Sequence, residues 1–244
     1  MPSSELTLLT LTAAGLGFVH TLLGPDHYVP FAMMARVGNW SKLKMTVVTL
    51  ACGLGHVLSS VVVGAAGIAL GMAVARITGL ESFRDRLAAW FLIGFGLAYF
   101  AWGMQRALRH RPHTHVHAHA DGTIHFHSHV HQDGHSHVHG AQAGADASSA
   151  ARLTPWVLFT IFVTGPCKPL IPLLMYPAAQ KSVAGVIVVT AVYGAATLTT
   201  MALAVLVCQF GLKRLPLGHL EHYSHALAGA AIAACGVAIR FLSL

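Results

Sequence analysis

The chain has 244 residues, of which 55% are hydrophobic and 9% charged, with a formal net charge of +7 and a mean hydropathy of +0.63. Soluble domains carry about 25% charged residues, so this composition excludes an ordinary soluble domain and points to a membrane. The positive balance does not imply nucleic acid, because most charges lie in short stretches between apolar runs, where basic residues orient membrane proteins.

Reading between those charges gives six apolar segments, near residues 6–35, 45–75, 87–105, 154–180, 182–212 and 222–244. A span needs roughly 20 apolar residues. The first, second, fourth and fifth are longer than one straight crossing requires, so they tilt, break or re-enter. The first reads as a retained span rather than a signal peptide: no basic stretch precedes it and no clear small-residue cleavage site follows. With six spans the basic residues divide nine to five. Arg36, Lys42, Lys44, Arg106, Arg109, Arg111, Arg152, Lys213 and Arg214 fall on one side, and Arg76, Arg84, Arg86, Lys181 and Arg240 on the other. The richer side is expected to be cytoplasmic, which puts both termini outside and the long central loop inside. The expected location is integral and multi-pass, in the cell inner membrane. Lipid bilayer and divalent metal ions are the expected partners, nucleic acid is not, and a homo-oligomer stays open.

The first segment contains "HTLLGPDH", which sets His20, Asp26 and His27 among apolar neighbours and interrupts the run with Gly24-Pro25 and then Pro30. A carboxylate at the bilayer centre costs about 2.5–3.5 kcal/mol or more, so Asp26 is expected to be paired or functional. An ion pair with Lys168 is the structural alternative. Proline lacks an N–H and clashes with the preceding turn, so the Gly-Pro pair is placed to break the helix. The second segment adds His56 in "GLGHVLSS", flanked by small residues that let helices approach closely. Imidazole and carboxylate together suit nickel, cobalt, zinc and copper ions.

The fourth and fifth segments echo the first and second. "GPDHYVP" from Gly24 matches "GPCKPLIP" from Gly165, and "TLACGLGHVLSS" from Thr49 matches "TAVYGAATLTT" from Thr190, both at an offset of 141 residues. In that register His56 faces Thr197 and Ser59 faces Thr200. Two three-span repeats cross the membrane in opposite senses, the plan of many secondary transporters, with the substrate site where the broken helices meet. The second break carries Cys167 and Lys168. The expected fold is therefore all-α and polytopic: six transmembrane helices in two inverted three-helix repeats with broken first helices and a disordered His-rich central loop. Its units are a first repeat at 1–107, the loop at 108–152 and a second repeat at 153–244.

"HTLLGPDH" together with "GLGHVLSSVVV" resembles the nickel/cobalt transporter superfamily. The six-span layout with a His-rich loop between spans three and four looks most like its nickel/cobalt efflux branch, and is similar to related urease-accessory and sulfite-exporter-like membrane proteins. That resemblance implies His20, Asp26, His27 and His56 as metal-site residues for Ni2+ or Co2+, with Zn2+ a further cargo and no resident cofactor.

Residues 110–139 hold twelve of the eighteen histidines, most in H-x-H alternation. His113, His115, His117, His119, His125, His127, His129, His131, His135, His137 and His139 offer many exchangeable ligand sets, the signature of a metal-binding tract. The alternatives are a plain linker or a sensor that charges at about pH 6. In "HLEHYSH", His219, His222 and His225 recur at steps of three, as ion contacts at the membrane face or as interfacial histidines beside Tyr223. Cys52, Cys167, Cys208 and Cys235 have no CxxC partner and read as packing residues.

No nucleophile–base arrangement or phosphate loop is present, so no enzyme is expected, and an ion gradient or partner supplies the energy. The leading expectation is a secondary transporter of divalent transition-metal ions, in the direction of efflux, with the loop collecting cytosolic metal. Two alternatives stand beside it. One is an exporter of sulfite or a small organosulfur anion using Lys168; the other is a membrane metal chaperone or sensor.

Overall fold

The first apolar segment folds as two helices with a turn between them. In this computed structural model, which describes residues 2–72, 74–109, 113–118, 124–129, 145–165, 167–214 and 218–242, α1 (Ser3–Leu23) stops at Gly24, whose N–H closes the last turn on the His20 carbonyl at 3.0 Å. Pro25 has no N–H to continue the ladder, and residues Pro25–His27 form a single 3-10 turn. α2 (Val29–Val37) restarts the chain with Pro30 in its first turn, where the missing donor has no intrahelical partner to lose.

α3 (Lys42–Ala69) begins at Ser41, whose hydroxyl accepts the Lys44 N–H at 3.2 Å. α4 (Val74–Arg109) follows. The fourth apolar segment again breaks: α5 (Ala145–Thr164) and α6 (Leu170–Ala179) flank a turn in which the Gly165 N–H reaches back to Ile161 and Phe162. α7 (Val183–Arg214) and α8 (Ser224–Leu242) complete the chain.

Among the described residues, five helices are long and apolar enough to cross a membrane: Ser3–Leu23, Lys42–Ala69, Arg76–Leu108, Val183–Leu212 and Glu221–Phe241. Apolar side chains such as Leu8, Leu43, Trp156 and Phe210 face outward, where a soluble fold would place polar groups. The molecule is a helical membrane protein. The fourth segment, where the sequence reading expects a broken helix, is a pair of shorter apolar helices, Pro155–Thr164 and Leu170–Ala179.

The helices pack as α1 on α7 and α5 on α3, α2 on α8 and α6 on α4, α2 on α7 and α6 on α3, with α4 against α8 and α3 against α7. One core gathers Phe31, Leu158, Phe162, Met201 and Ile232, and a second gathers Ala13, Leu170, Leu174 and Tyr193. The α4–α8 contact is closest. A Cβ added at Gly96 would strike the Ala233 backbone, and one at Gly229 would strike the Phe100 backbone.

Two expectations need correction. Arg84, counted with the loop charges, lies about three turns inside α4, because the helix starts at Val74 rather than near residue 87. Between α4 and α5, where the sequence reading expects a disordered loop, the described residues include two strands. There β1 (His113–Ala118) pairs antiparallel with β2 (Ile124–His129), in a register that sets His113 opposite His129, His115 opposite His127 and His117 opposite His125. Alternating β-branched and aromatic residues explain a strand where His-rich composition alone reads as disorder. His119, His131, His135, His137 and His139 lie outside the described residues.

Candidate metal centre

Three helical elements bring the buried imidazoles together. His20 sits in the last turn of α1, His27 in the 3-10 turn and His56 midway along α3. One ring nitrogen from each lies within 4.8 Å of the others. The ring centroids are 4.9 Å apart for His20 and His27, 5.1 Å for His27 and His56, and 6.5 Å for His20 and His56. His27 and His56 are only 2% and 4% exposed.

The partners of two rings settle which nitrogen is bare. His27 Nδ1 lies 3.0 Å from Asp26 Oδ1 and 3.2 Å from the Gly24 carbonyl. Both oxygens accept, so Nδ1–H donates, and in the neutral ring Nε2 then keeps its lone pair. In the same way His56 Nδ1–H donates to the Phe162 carbonyl at 3.3 Å. The Nε2 atoms of His20, His27 and His56 are buried and have no hydrogen-bond partner among the described residues. Each unmade buried bond costs about 1–3 kcal/mol. Converging acceptors with that cost fit a cation, which satisfies all three at once, and imidazole suits zinc, copper, iron and nickel.

Asp26 is bonded to His27 and lines the same cavity, while the three converging nitrogens belong to the histidines. A carboxylate on the far nitrogen of a ligating histidine fixes the ring's tautomer and orientation. Gly24 is required by the same contact: a Cβ there would stand 2.5 Å from His27 Nδ1 and 2.8 Å from Asp26 Oδ1.

The histidines face a cavity of about 350 Å³. Both helix breaks line it, through Gly24 on one side and Gly165 and Lys168 on the other, and Asp85 of α4 closes the wall. Lys168 Nζ is 2.7 Å from Asp85 Oδ2, so its partner is Asp85 and not Asp26. Cys167 turns the other way. Its N–H donates to Ser60 Oγ at 2.8 Å and its sulfur lies 3.2 Å from the Tyr193 hydroxyl.

Sequence reasoning missed the polar cluster on α4. Arg84 forms an ion pair with Glu81 and donates to Ser59 Oγ at 2.8 Å and to the Val163 carbonyl at 2.9 Å. Ser60 donates to Glu81 at 3.3 Å. The guanidinium thus satisfies a carbonyl that the end of α5 leaves open. The spacing Glu81, Arg84, Asp85 is that of one helix face, a signal available in the sequence once the helix is started early enough.

The other predicted ligands stand apart. His222 Nε2–H donates to the Ala107 carbonyl at 2.6 Å, and His225 Nδ1 lies 2.8 Å from the Tyr99 hydroxyl with its ring edge-on to Trp102. Both bind α8 and its preceding turn to α4. The side chain of His219 lies outside the described residues, as do those of the histidines in β1 and β2. No family model, no curated protein and no solved structure matches this chain.

Proposed function

We propose that this chain is a secondary transporter of divalent transition-metal ions, nickel and cobalt first, working in the direction of export. The observation that carries the reading is the cluster of His20, His27 and His56, which bring one ring nitrogen each within 4.8 Å of the others and whose buried Nε2 atoms have no hydrogen-bond partner among the described residues. Asp26 holds His27 with its lone pair toward the ion. Binding requires unprotonated rings, so metal and protons compete for the site, and that competition is a route to proton-coupled exchange.

The repeat architecture belongs to the same proposal: six crossings in two inverted halves, with α5 and α6 together as the fourth. Its support is the 141-residue offset between the breaks at Gly24 and Gly165 and the packing pairs. Exchanging α1, α2, α3 and α4 for α5, α6, α7 and α8 turns α1–α7 into α5–α3, α2–α8 into α6–α4, and α2–α7 into α6–α3. Broken helices at a repeat interface are where such transporters bind cargo. The His-rich segment, on the cytoplasmic side of that arrangement, collects metal for export. An anion reading built on Lys168 finds its ammonium already engaged by Asp85 at 2.7 Å.

The test is elemental analysis of nickel and cobalt in cells expressing the chain, beside His56→Ala. Lower metal with the native chain, restored by the variant, is the expected result. Higher metal restored in the same way would keep the site and reverse the direction. Equal metal in both would overturn the proposal.

A further inference from the structure

α4 grips the second break through two adjacent residues, and the two grips differ in kind. Arg84 is largely buried, and its guanidinium holds the Val163 carbonyl, Ser59 and Glu81 at once. That link is permanent: freeing it would strand Glu81, which is 2% exposed, as an unpaired buried charge. Asp85, the next residue, holds Lys168 by a single contact, with the lysine 44% and the aspartate 23% exposed. An ammonium so exposed can leave its partner and be hydrated at little cost, since such pairs are worth only about 0–1 kcal/mol. Both residues line the cavity whose inner wall carries His27 and His56.

We infer that the Lys168–Asp85 pair is a cation-exchange gate on this cavity. A divalent ion moving through the cavity takes the Asp85 carboxylate in place of Lys168 and exchanges between that carboxylate and the three histidines. The inference rests on the metal reading above. Two features of the geometry argue for it. The side chains of the pair are more exposed than the innermost imidazoles, 44% and 23% for Lys168 and Asp85 against 2% and 4% for His27 and His56, so the pair is the more readily hydrated and exchanged. Its two members also stand on different supports, Asp85 on the continuous helix α4 and Lys168 in the turn between α5 and α6, so separating them needs movement only at the break. While the pair is closed, the lysine's charge opposes entry of a second cation. For these ions hard carboxylate oxygen is a weaker, more quickly exchanging ligand than imidazole nitrogen, which suits Asp85 to a transient stop beside the histidines.

The decisive comparison is between the two halves of the pair. Asp85→Asn and Lys168→Met both abolish the same ion pair, so a merely structural tie predicts the same loss from each. The gate predicts opposite signs. In proteoliposomes at low Ni2+, Asp85→Asn should slow transport about tenfold, whereas Lys168→Met should speed it about threefold, as changes in a charge at the rim alter rates of arrival. In both variants the Co2+ absorption spectrum and equilibrium affinity of the purified full chain should match the native chain within about twofold, since the histidines still set them. Slower transport in both variants would overturn the gate. Should Asp85→Asn fail to fold, Lys168→Met alone still decides, because the tie predicts slowing and the gate predicts acceleration. If His56→Ala binds Co2+ as the native chain does, the metal reading itself fails and the gate falls with it, an outcome distinct from the other two.

Discussion

Asp26 and His27 are neighbours in the chain and have separate tasks. The imidazole leaves its buried Nε2 without a partner among the described residues, while the carboxylate holds Nδ1–H at 3.0 Å. Replacing such an outer partner typically lowers metal affinity about 10–100-fold, so Asp26→Ala should weaken Co2+ binding by that factor. His56→Ala, which removes one of the three acceptors, should abolish binding at that centre and leave only the ions held by the His-rich segment; Co2+ titration of the purified chain followed by absorbance checks both. Equal effects would make Asp26 a ligand in its own right. Cys167 gives the opposite expectation. Its sulfur faces Tyr193, and Cys167→Ser should leave the same titration unchanged. At this scale the histidines were legible because imidazoles in an apolar run need a reason. Asp85 was not, because a charge beside Arg84 and Arg86 reads as a loop until the helix is known to extend past it.

Helices and their junctions are where the polar cluster on α4 has its effect. Arg84 satisfies the end of α5 and neutralises Glu81 within the protein. Arg84→Ala should therefore cost about 3–5 kcal/mol, the penalty for stranding a buried charge. The double variant Arg84→Met with Glu81→Gln should recover a good part of that loss, measured by thermal unfolding in detergent. The α4–α8 crossing supplies a second test with an internal control. A Cβ at Gly96 meets Ala233 backbone, whereas one at Gly94, two residues away on the same helix, meets nothing within 4 Å. Gly96→Ala should destabilise by about 1–3 kcal/mol through overpacking, and Gly94→Ala should be neutral or stabilising by up to about 1 kcal/mol. Of these elements, the breaks were readable from Gly24-Pro25 and Gly165-Pro166, since proline removes a donor wherever it stands. The start of α4 was not, because its first turns carry charges that interrupt the apolar pattern.

For the whole molecule the question is how the His-rich segment relates to the buried centre. Asp85 and Arg109 are separated by 24 residues of the continuous helix α4, about 36 Å at 1.5 Å per residue. The segment therefore leaves the opposite end of α4 from the one that holds Lys168, and it shares no described residue with the cavity. Deleting residues 110–140 should leave the affinity of the three-histidine site unchanged while lowering the number of Co2+ ions bound per chain. Calorimetry on the deleted and native chains separates stoichiometry from affinity. A fall in the affinity of the buried site would show that the two act as one. The paired strands β1 and β2 lie within the deleted region and hold no contact the helices depend on for their own hydrogen bonds, since α-helical ladders are internal to each segment.

The division between sequence and structure follows from the range of the forces involved. Apolar length, the positions of the breaks and the presence of imidazoles among apolar neighbours are local properties, and Gly24, Pro25, His20, His27 and His56 announce them without knowledge of any partner. What the tertiary structure decided is which distant groups meet. His56 finds the Phe162 carbonyl 106 residues away, Lys168 finds Asp85, and Arg84 finds the end of α5. Those meetings set the tautomers, the free nitrogens and the exchangeable pair. They depend on how eight helices cross, and a crossing is chosen by the fit of small residues such as Gly96 and Gly229 against backbone on another helix, which no spacing within one segment encodes.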